Sequence, residues 1–288
     1  MKLGLIVNCV GYDRNCVPIN VHLLKHISPR LGQLGIEYSL VMPSSDWIGT
    51  KLTKHTDFLP SQDPEEVARI LRSANNKGVV VRGCIAEFAK DGLDCVLHID
   101  GSGKFDLGDI VRVIEIILDA SVDAILTKRD KSGMNKFRTL LEKLEMELVS
   151  RKFNNALIED GQCGCWCIRL GNKDCDLQKE LTATGYEIEL DILISQLKYG
   201  RNIVWLPIKI TDTKKSKYTF GANILKMEWL SGKLGLRKSE ALSFMREFQS
   251  KNGGEIRDAE DESEKLGDAE NKFDNYVQKI EESTKFIG

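Results

Sequence analysis

Short apolar runs of strand length alternate with longer stretches of helical periodicity along most of this chain, and that alternation narrows the fold more than any other feature. Leu3–Asn8, Glu37–Met42, Cys95–Asp100, Ala124–Thr127 and Ile203–Ile210 (interrupted by Pro207) read as strands. Between them, Val21–Leu34, Asp63–Ala74, Asp109–Leu118, Met134–Val149 and Glu187–Leu197 carry apolar residues at helical spacing. Asp63-Pro64 stands at a natural helix start, an N-cap followed by a first-turn proline. This βαβα order predicts an α/β fold, a mostly parallel, Rossmann-like sheet flanked by helices. Ligands of such sheets bind beyond the carboxyl ends of the strands. The residues to watch therefore follow the strands: Asn8–Asn15, Met42–Trp47, Asp100–Lys104 and Lys128–Lys131.

The chemistry-bearing segments lie at those places. Val96-Leu-His-Ile-Asp100-Gly-Ser102-Gly-Lys104-Phe-Asp106 takes a strand into an acid and a glycine-rich turn. A strand-end carboxylate can hold a divalent cation that offsets charge on a diphosphate, and small residues let the backbone approach such a ligand. The same segment also reads as an acidic turn with a helix cap. Asp160-Gly-Gln162-Cys163-Gly164-Cys165-Trp166-Cys167 contains a Cys-x-Cys-x-Cys run. Cysteines at alternate positions share one strand face, which favours burial over metal ligation, since no second cluster or matching histidine lies nearby. In Glu187-Ile-Glu189-Leu-Asp191, Glu187 and Asp191 share a helix face while Glu189 points elsewhere. After the last strand, Lys214, Lys215, Ser216 and Lys217 form a cationic loop suited to phosphate or simply to solvent.

In order and spacing, these segments resemble the family 2 glycosyltransferases, nearest the branch that moves mannose or glucose onto a polyprenyl (dolichyl) phosphate. The resemblance runs from Leu3 to Lys217 and is best over Asn76–Lys217. The family's acidic strand-end motif looks like Asp100-Gly-Ser102-Gly103 with Asp106, and its Gly-Ser-Arg like Thr127-Lys128-Arg129. Its Asp-x-Gln-Cys-Gly turn looks like Asp160–Gly164, its acid before a leucine-rich helix like Asp191, and its Pro-Ile strand with a Ser-Lys pair like Pro207-Ile208 with Ser216-Lys217. The resemblance implies a GT-A fold, a nucleotide-diphosphate sugar as donor, and Mg²⁺ or Mn²⁺ held at Asp100. It implies catalytic roles for Asp100, Asp160, Asp191 and Arg129. Asn8, Ser45, Asp46, Ser102, Lys104, Lys214, Ser216 and Lys217 would line the donor site.

The motifs are altered. Ser102 stands where the family has its second metal-binding acid, and Val41-Met42-Pro43-Ser44-Ser45 replaces an acidic nucleotide-binding run. The expected activity is sugar transfer to an acceptor, with polyprenyl phosphate the acceptor implied by resemblance. The alternative is a degenerate relative that binds a nucleotide or protein partner without turnover. A sugar-nucleotide pyrophosphorylase fits poorly, because Asn8–Asn15 lacks that class's glycine-rich, basic loop.

Three regions are expected: a catalytic domain over 1–217, its helical C-terminal part over 218–251, and a charged helical tail over 252–288. From Glu255 to Gly288 the chain carries 11 acidic and 5 basic residues. There Leu266, Ala269, Phe273, Tyr276 and Ile280 form an a/d-like stripe, open to self-association or to docking on its own domain. A net charge of −2 over 288 residues offers no field for nucleic acid. No apolar run approaches transmembrane length, although Phe220–Lys238 is open to contact with a membrane surface as well as to core packing. With no leader-like N-terminus, eight cysteines suggest reduced thiols and a cytoplasmic setting.

Overall fold

The computed structural model describes residues 1–8, 16–41, 77–101, 105–129, 136–171, 177–209, 220–258 and 277–278. Its strands are β1 (Lys2–Asn8), β2 (Glu37–Val41), β3 (Cys95–Asp100), β4 (Ala124–Arg129), β5 (Cys165–Arg169) and β6 (Ile203–Ile208). The helices taken up here are α1 (Cys16–Gln33), α2 (Lys77–Lys90), α3 (Leu107–Ile117), α4 (Lys136–Lys152), α5 (Leu177–Glu180), α6 (Ile188–Lys198), α7 (Phe220–Lys233) and α8 (Lys238–Lys251). Two compact units result: Met1–Asp130 with Gln162–Asp212, and Lys131–Gly161 with Thr213–Gly288.

The first unit is built on a six-stranded sheet of order β2-β1-β3-β5-β4-β6. β1 runs parallel to β2 and β3, and β4 parallel to β6, while β5 is antiparallel to both β3 and β4. A single reversed strand thus interrupts an otherwise parallel sheet, and the expected α/β fold is present. On one face, Leu3, Leu5 and Val7 of β1 and Cys95, Leu97 and Ile99 of β3 join Ile27 and Leu31 of α1 and Ile110, Val113, Ile114 and Ile117 of α3 in one buried cluster. Burying a side chain of this size contributes about 1.5–3 kcal/mol. Cys163, Cys165 and Cys167 belong to the same cluster, which is what alternation along a buried strand predicts. Burial pushes the thiols of Cys165 and Cys167 well above the ordinary range, so both stay protonated and unreactive.

The opposite face takes α2, which the sequence reading left unassigned. Its buried residues Lys77, Val80, Val81, Cys84, Ile85 and Phe88 recur at helical spacing. A Cβ on Gly4 would lie 2.3 Å from the Phe88 ring, so a glycine in β1 lets this helix seat closely. The expected helix Asp63–Ala74 lies outside the described residues. Helix α3 begins earlier than expected, because Asp106 rather than Asp109 caps it: Asp106 Oδ1 accepts from Gly108 N at 2.8 Å and Asp109 N at 3.3 Å.

The second unit is helical. Leu140, Leu141, Leu144 and Leu148 of α4 are buried, as are Phe244, Met245 and Phe248 of α8. Lys226 donates to Glu145 at 2.6 Å, with both side chains about 3 % exposed. Lys143 Nζ reaches Asn252 Oδ1 at 2.9 Å and Glu255 Oε2 at 2.8 Å, tying the start of the charged tail to α4. Ile256 and Val277 are buried within this single chain. Among the described residues no helix is long and apolar enough to cross a membrane.

Candidate functional site

The carboxyl ends of β1 and β3 come together as the parallel topology requires: Asn8 and Asp100 are register partners. Asn8 is fully buried, and its carbonyl accepts from Gly101 N at 2.7 Å. Asp100 N donates to Gly164 O at 2.7 Å, fixing the turn before β5 against the end of β3. A Cβ at position 164 would lie 2.6 Å from Asp100 Cβ and 2.9 Å from Oδ2, so a glycine there makes room for the carboxylate.

Two residues absent from the sequence-level candidates complete the cluster. Lys77 Nζ lies 3.2 Å from Asp100 Oδ1 and donates a short hydrogen bond to Glu189 Oε1. The Lys77 and Glu189 side chains are 4 % and 6 % exposed, whereas Asp100 is 16 % exposed and remains within reach of a ligand. Burial alone would push the Lys77 pKa down, but Asp100 and Glu189 outweigh it and hold it above the usual lysine value. Burial also raises the Glu189 pKa, against the pull of Lys77. The arrangement is thus one retained ammonium between two carboxylates. Lys77 Nζ also lies 5.8 Å from the ring centroid of Tyr186, which is half exposed.

The loop that carries Tyr186 is held by its backbone. Asp191 Oδ2 accepts from Thr182 N at 2.6 Å and Ala183 N at 2.7 Å, and Glu187 Oε1 from Thr184 N at 3.1 Å and Gly185 N at 2.9 Å. Arg82 Nη1 of α2 donates to Thr182 O at 3.0 Å and Ala183 O at 3.3 Å. Gly78 lets this loop approach α2, since a Cβ there would come within 2.6 Å of the Thr184 backbone. The expected separation of Glu189 from the face of Glu187 and Asp191 is real, but its meaning is reversed. Glu189 meets Lys77, which in turn meets Asp100, while Glu187 and Asp191 organise the loop.

One layer deeper, His98 stacks on Trp166 with centroids 4.8 Å apart and rings 12° from parallel. Burial, reinforced by the charge of Lys77, holds the His98 pKa well below the ordinary histidine value. Arg129 ends β4, half-buried, two strand positions from β3 and hence about 10 Å across the sheet. Asp160 is buried in the second unit. Ser45, Asp46, Ser102, Lys104, Lys214, Ser216 and Lys217 lie outside the described residues.

Asp100 suits a divalent cation in kind, being a hard oxygen donor at a strand end, partly open, with space kept beside it by Gly164. Among the described residues no group of three His, Cys, Asp or Glu side chains is placed to hold a metal ion.

No family model matches the sequence, and no curated protein matches it. Solved structures do. Glucosyl-3-phosphoglycerate synthase from Mycobacterium tuberculosis in complex with Mn²⁺, uridine diphosphate and phosphoglyceric acid is similar with a TM-score of 0.55 and 12% identity, over 82% of this chain and 79% of that one. The same enzyme with Mn²⁺, uridine diphosphate and glucosyl-3-phosphoglycerate gives 0.53 and 13%, over 82% and 81%. With Mn²⁺, UDP-glucose and glycerol 3-phosphate it gives 0.51 and 12%, again over 82% and 81%. Those structures pair a divalent metal with a nucleotide-sugar donor, as the resemblance implies. The chain has the GT-A-like α/β fold of these nucleotide-sugar glycosyltransferases.

Proposed function

We propose that this protein is a glycosyltransferase that takes a sugar from a nucleotide-diphosphate donor at the carboxyl edge of its sheet. The observation that carries the reading is the Lys77–Asp100–Glu189 cluster, built at the place where parallel α/β sheets bind ligands. Structural neighbours with Mn²⁺ and uridine diphosphate support it.

In this reading Asp100 holds the divalent cation. A bound Mg²⁺ or Mn²⁺ supplies charge neutralisation for the departing diphosphate. Lys77 keeps Asp100 oriented before the donor arrives. Arg129, at the end of β4, would take part of the remaining phosphate charge. The acceptor is a phosphate-bearing molecule: polyprenyl phosphate by the sequence resemblance, with phosphoglyceric acid and glycerol 3-phosphate present in the similar structures. The acceptor oxygen forms a bond to the anomeric carbon as the bond from that carbon to the diphosphate oxygen breaks. An anionic acceptor needs little help from a base, so stabilising the leaving group is the larger contribution.

Thermal shifts with UDP, GDP, CDP and their sugars, with and without Mn²⁺, test this directly, since a ligand of the native state must stabilise it. The expected result is a Mn²⁺-dependent shift with one nucleotide, lost in Asp100→Asn. No shift with any of them would replace this reading with partner binding by a degenerate relative, the alternative that Ser102 motivates.

A further inference from the structure

The amino ends of the strands, at the edge of the sheet opposite Asp100, carry a second polar feature. Strands of six residues separate the two edges by about 20 Å. A cleft of about 490 Å³ opens there, lined in part by Arg169, Arg201, Asp94 and Asp123. Arg201 follows the C-terminal turn of α6 and is held by a backbone bond from its own N–H to Gln196 O at 3.0 Å. Its side chain is 2 % exposed. Nε, Nη1 and Nη2 are all buried without a hydrogen-bond acceptor among the described residues. The nearest carboxylate oxygen, Asp123 Oδ1, is 3.7 Å from Nη1, too long for a hydrogen bond.

Arg169 lines the same cleft from the end of β5. Its Nε donates to Val122 O at 2.8 Å, and its Nη2 to Ile117 O at 2.6 Å and Asp119 O at 2.9 Å. Its Nη1 meets the Cys95 sulfur at 3.8 Å, a weak acceptor. The two acids of the cleft are already engaged. Asp94 Oδ2 accepts from Lys2 N at 2.7 Å, and Asp123 Oδ2 from Asn202 N at 3.0 Å. An arginine cannot shed its charge when buried, so its donors call for oxygen acceptors. Arg169 and Arg201 both line this cleft, Arg201 with three buried nitrogens that lack an acceptor among the described residues and Arg169 with an Nη1 that meets only sulfur there. A planar or tetrahedral oxyanion takes such donors in pairs.

We infer that this cleft is a binding site for a small oxyanion of the phosphate or carboxylate class, held by Arg201 and by Nη1 of Arg169 in place of its weak sulfur contact. It lies apart from the candidate donor site and does not depend on the proposed sugar transfer.

The test is calorimetric titration of the full-length chain at low ionic strength with inorganic phosphate, and separately with acetate, using wild type, Arg201→Gln, Arg201→Lys and Asp100→Asn. The expected result is saturable binding that weakens at least tenfold in Arg201→Gln, less in Arg201→Lys, and not at all in Asp100→Asn. Tighter binding of phosphate than acetate would place the ligand in the phosphate class, and the reverse in the carboxylate class. Binding that persists in Arg201→Gln, or that disappears in Asp100→Asn instead, would overturn the assignment, as would no saturation by tens of millimolar of either anion. If Arg201→Gln does not fold, a crystal structure of wild type grown in phosphate decides the matter. An oxyanion between Arg169 and Arg201 supports the site, and water alone on both guanidinium groups refutes it.

Discussion

The chain buries a lysine against carboxylate in each of its two units, and the two arrangements differ. Lys226 and Glu145 in the helical unit are a closed pair, both about 3 % exposed. Lys77 in the sheet unit stands between Asp100 and Glu189, and Asp100 is partly open. A pair closed to solvent belongs to packing. Lys77 instead meets two acids where strands end and where a glycine, Gly164, makes room beside the more open one. Burial of charge alone therefore does not mark a function. Position and access do.

The largest expected effects separate the two clusters by neutralising one acid in each. Glu145→Gln removes the buried carboxylate that Lys226 bonds at 2.6 Å and should destabilise the protein by about 3–5 kcal/mol. Urea denaturation measures this, and Glu145→Leu with Lys226→Met should recover most of the loss. Asp100→Asn keeps the shape of the side chain and leaves Lys77 paired with Glu189, so stability should change less than in Glu145→Gln. Metal-dependent donor turnover should meanwhile fall by about 10²–10³. If Asp100→Asn unfolded the chain as Glu145→Gln does, the contrast between the two clusters would be gone.

A smaller effect tests the space beside Asp100. Gly164→Ala places a Cβ where Asp100 now sits, so it should cost about 1–3 kcal/mol by overpacking. It should also weaken the Mn²⁺-dependent nucleotide shift beyond what the stability loss explains. Gly171→Ala meets open space and serves as the control.

The sequence exposed one of the three members of this cluster, for identifiable reasons. Asp100 was legible because it ends an apolar strand where parallel α/β sheets bind ligands, although the segment alone reads equally as a capped acidic turn. The fold was legible from alternating periods of strand and helix. Lys77 was missed because α2 went unassigned, although the signal was present. Lys77 opens the stripe Val80, Val81, Cys84, Ile85 and Phe88, and a lysine on an apolar stripe needs a buried partner. Glu189 was passed over for a different reason. The face argument assumes an amphipathic helix, but α6 is buried from Ile188 to Gln196, so every direction from it is interior. On such a helix the useful acid is the one whose neighbour is a cation, and only packing reveals that.

His98 tests whether the sheet beneath the site senses pH. Its pKa is lowered in the fold, so between the ordinary histidine value and the folded value the unfolded chain binds more protons than the native one. Stability should be intact above about pH 7 and fall as the pH drops below about 6.5, by at most about 1.4 kcal/mol per pH unit from this group. Replacing His98 with Phe, which retains stacking on Trp166, should flatten that part of the profile without altering the acid limb set by carboxylates. An unchanged slope from pH 7 to 5 would assign the dependence to another group.

The smallest expected effect concerns Asp106, which stands in the strand-end motif and so invites a role in donor binding. Its geometry is that of a cap: Oδ1 accepts from the first free N–H groups of α3. Asp106→Ala should therefore cost about 1 kcal/mol of stability, Asp106→Asn much less, because asparagine caps nearly as well. Neither should change the Mn²⁺ requirement for nucleotide binding. Loss of that requirement in Asp106→Asn, with the cap preserved, would move Asp106 from the helix to the metal and enlarge the open cluster by one acid. Retention of it would leave Asp100 as the motif's working carboxylate and confine Asp106 to holding the helix that follows.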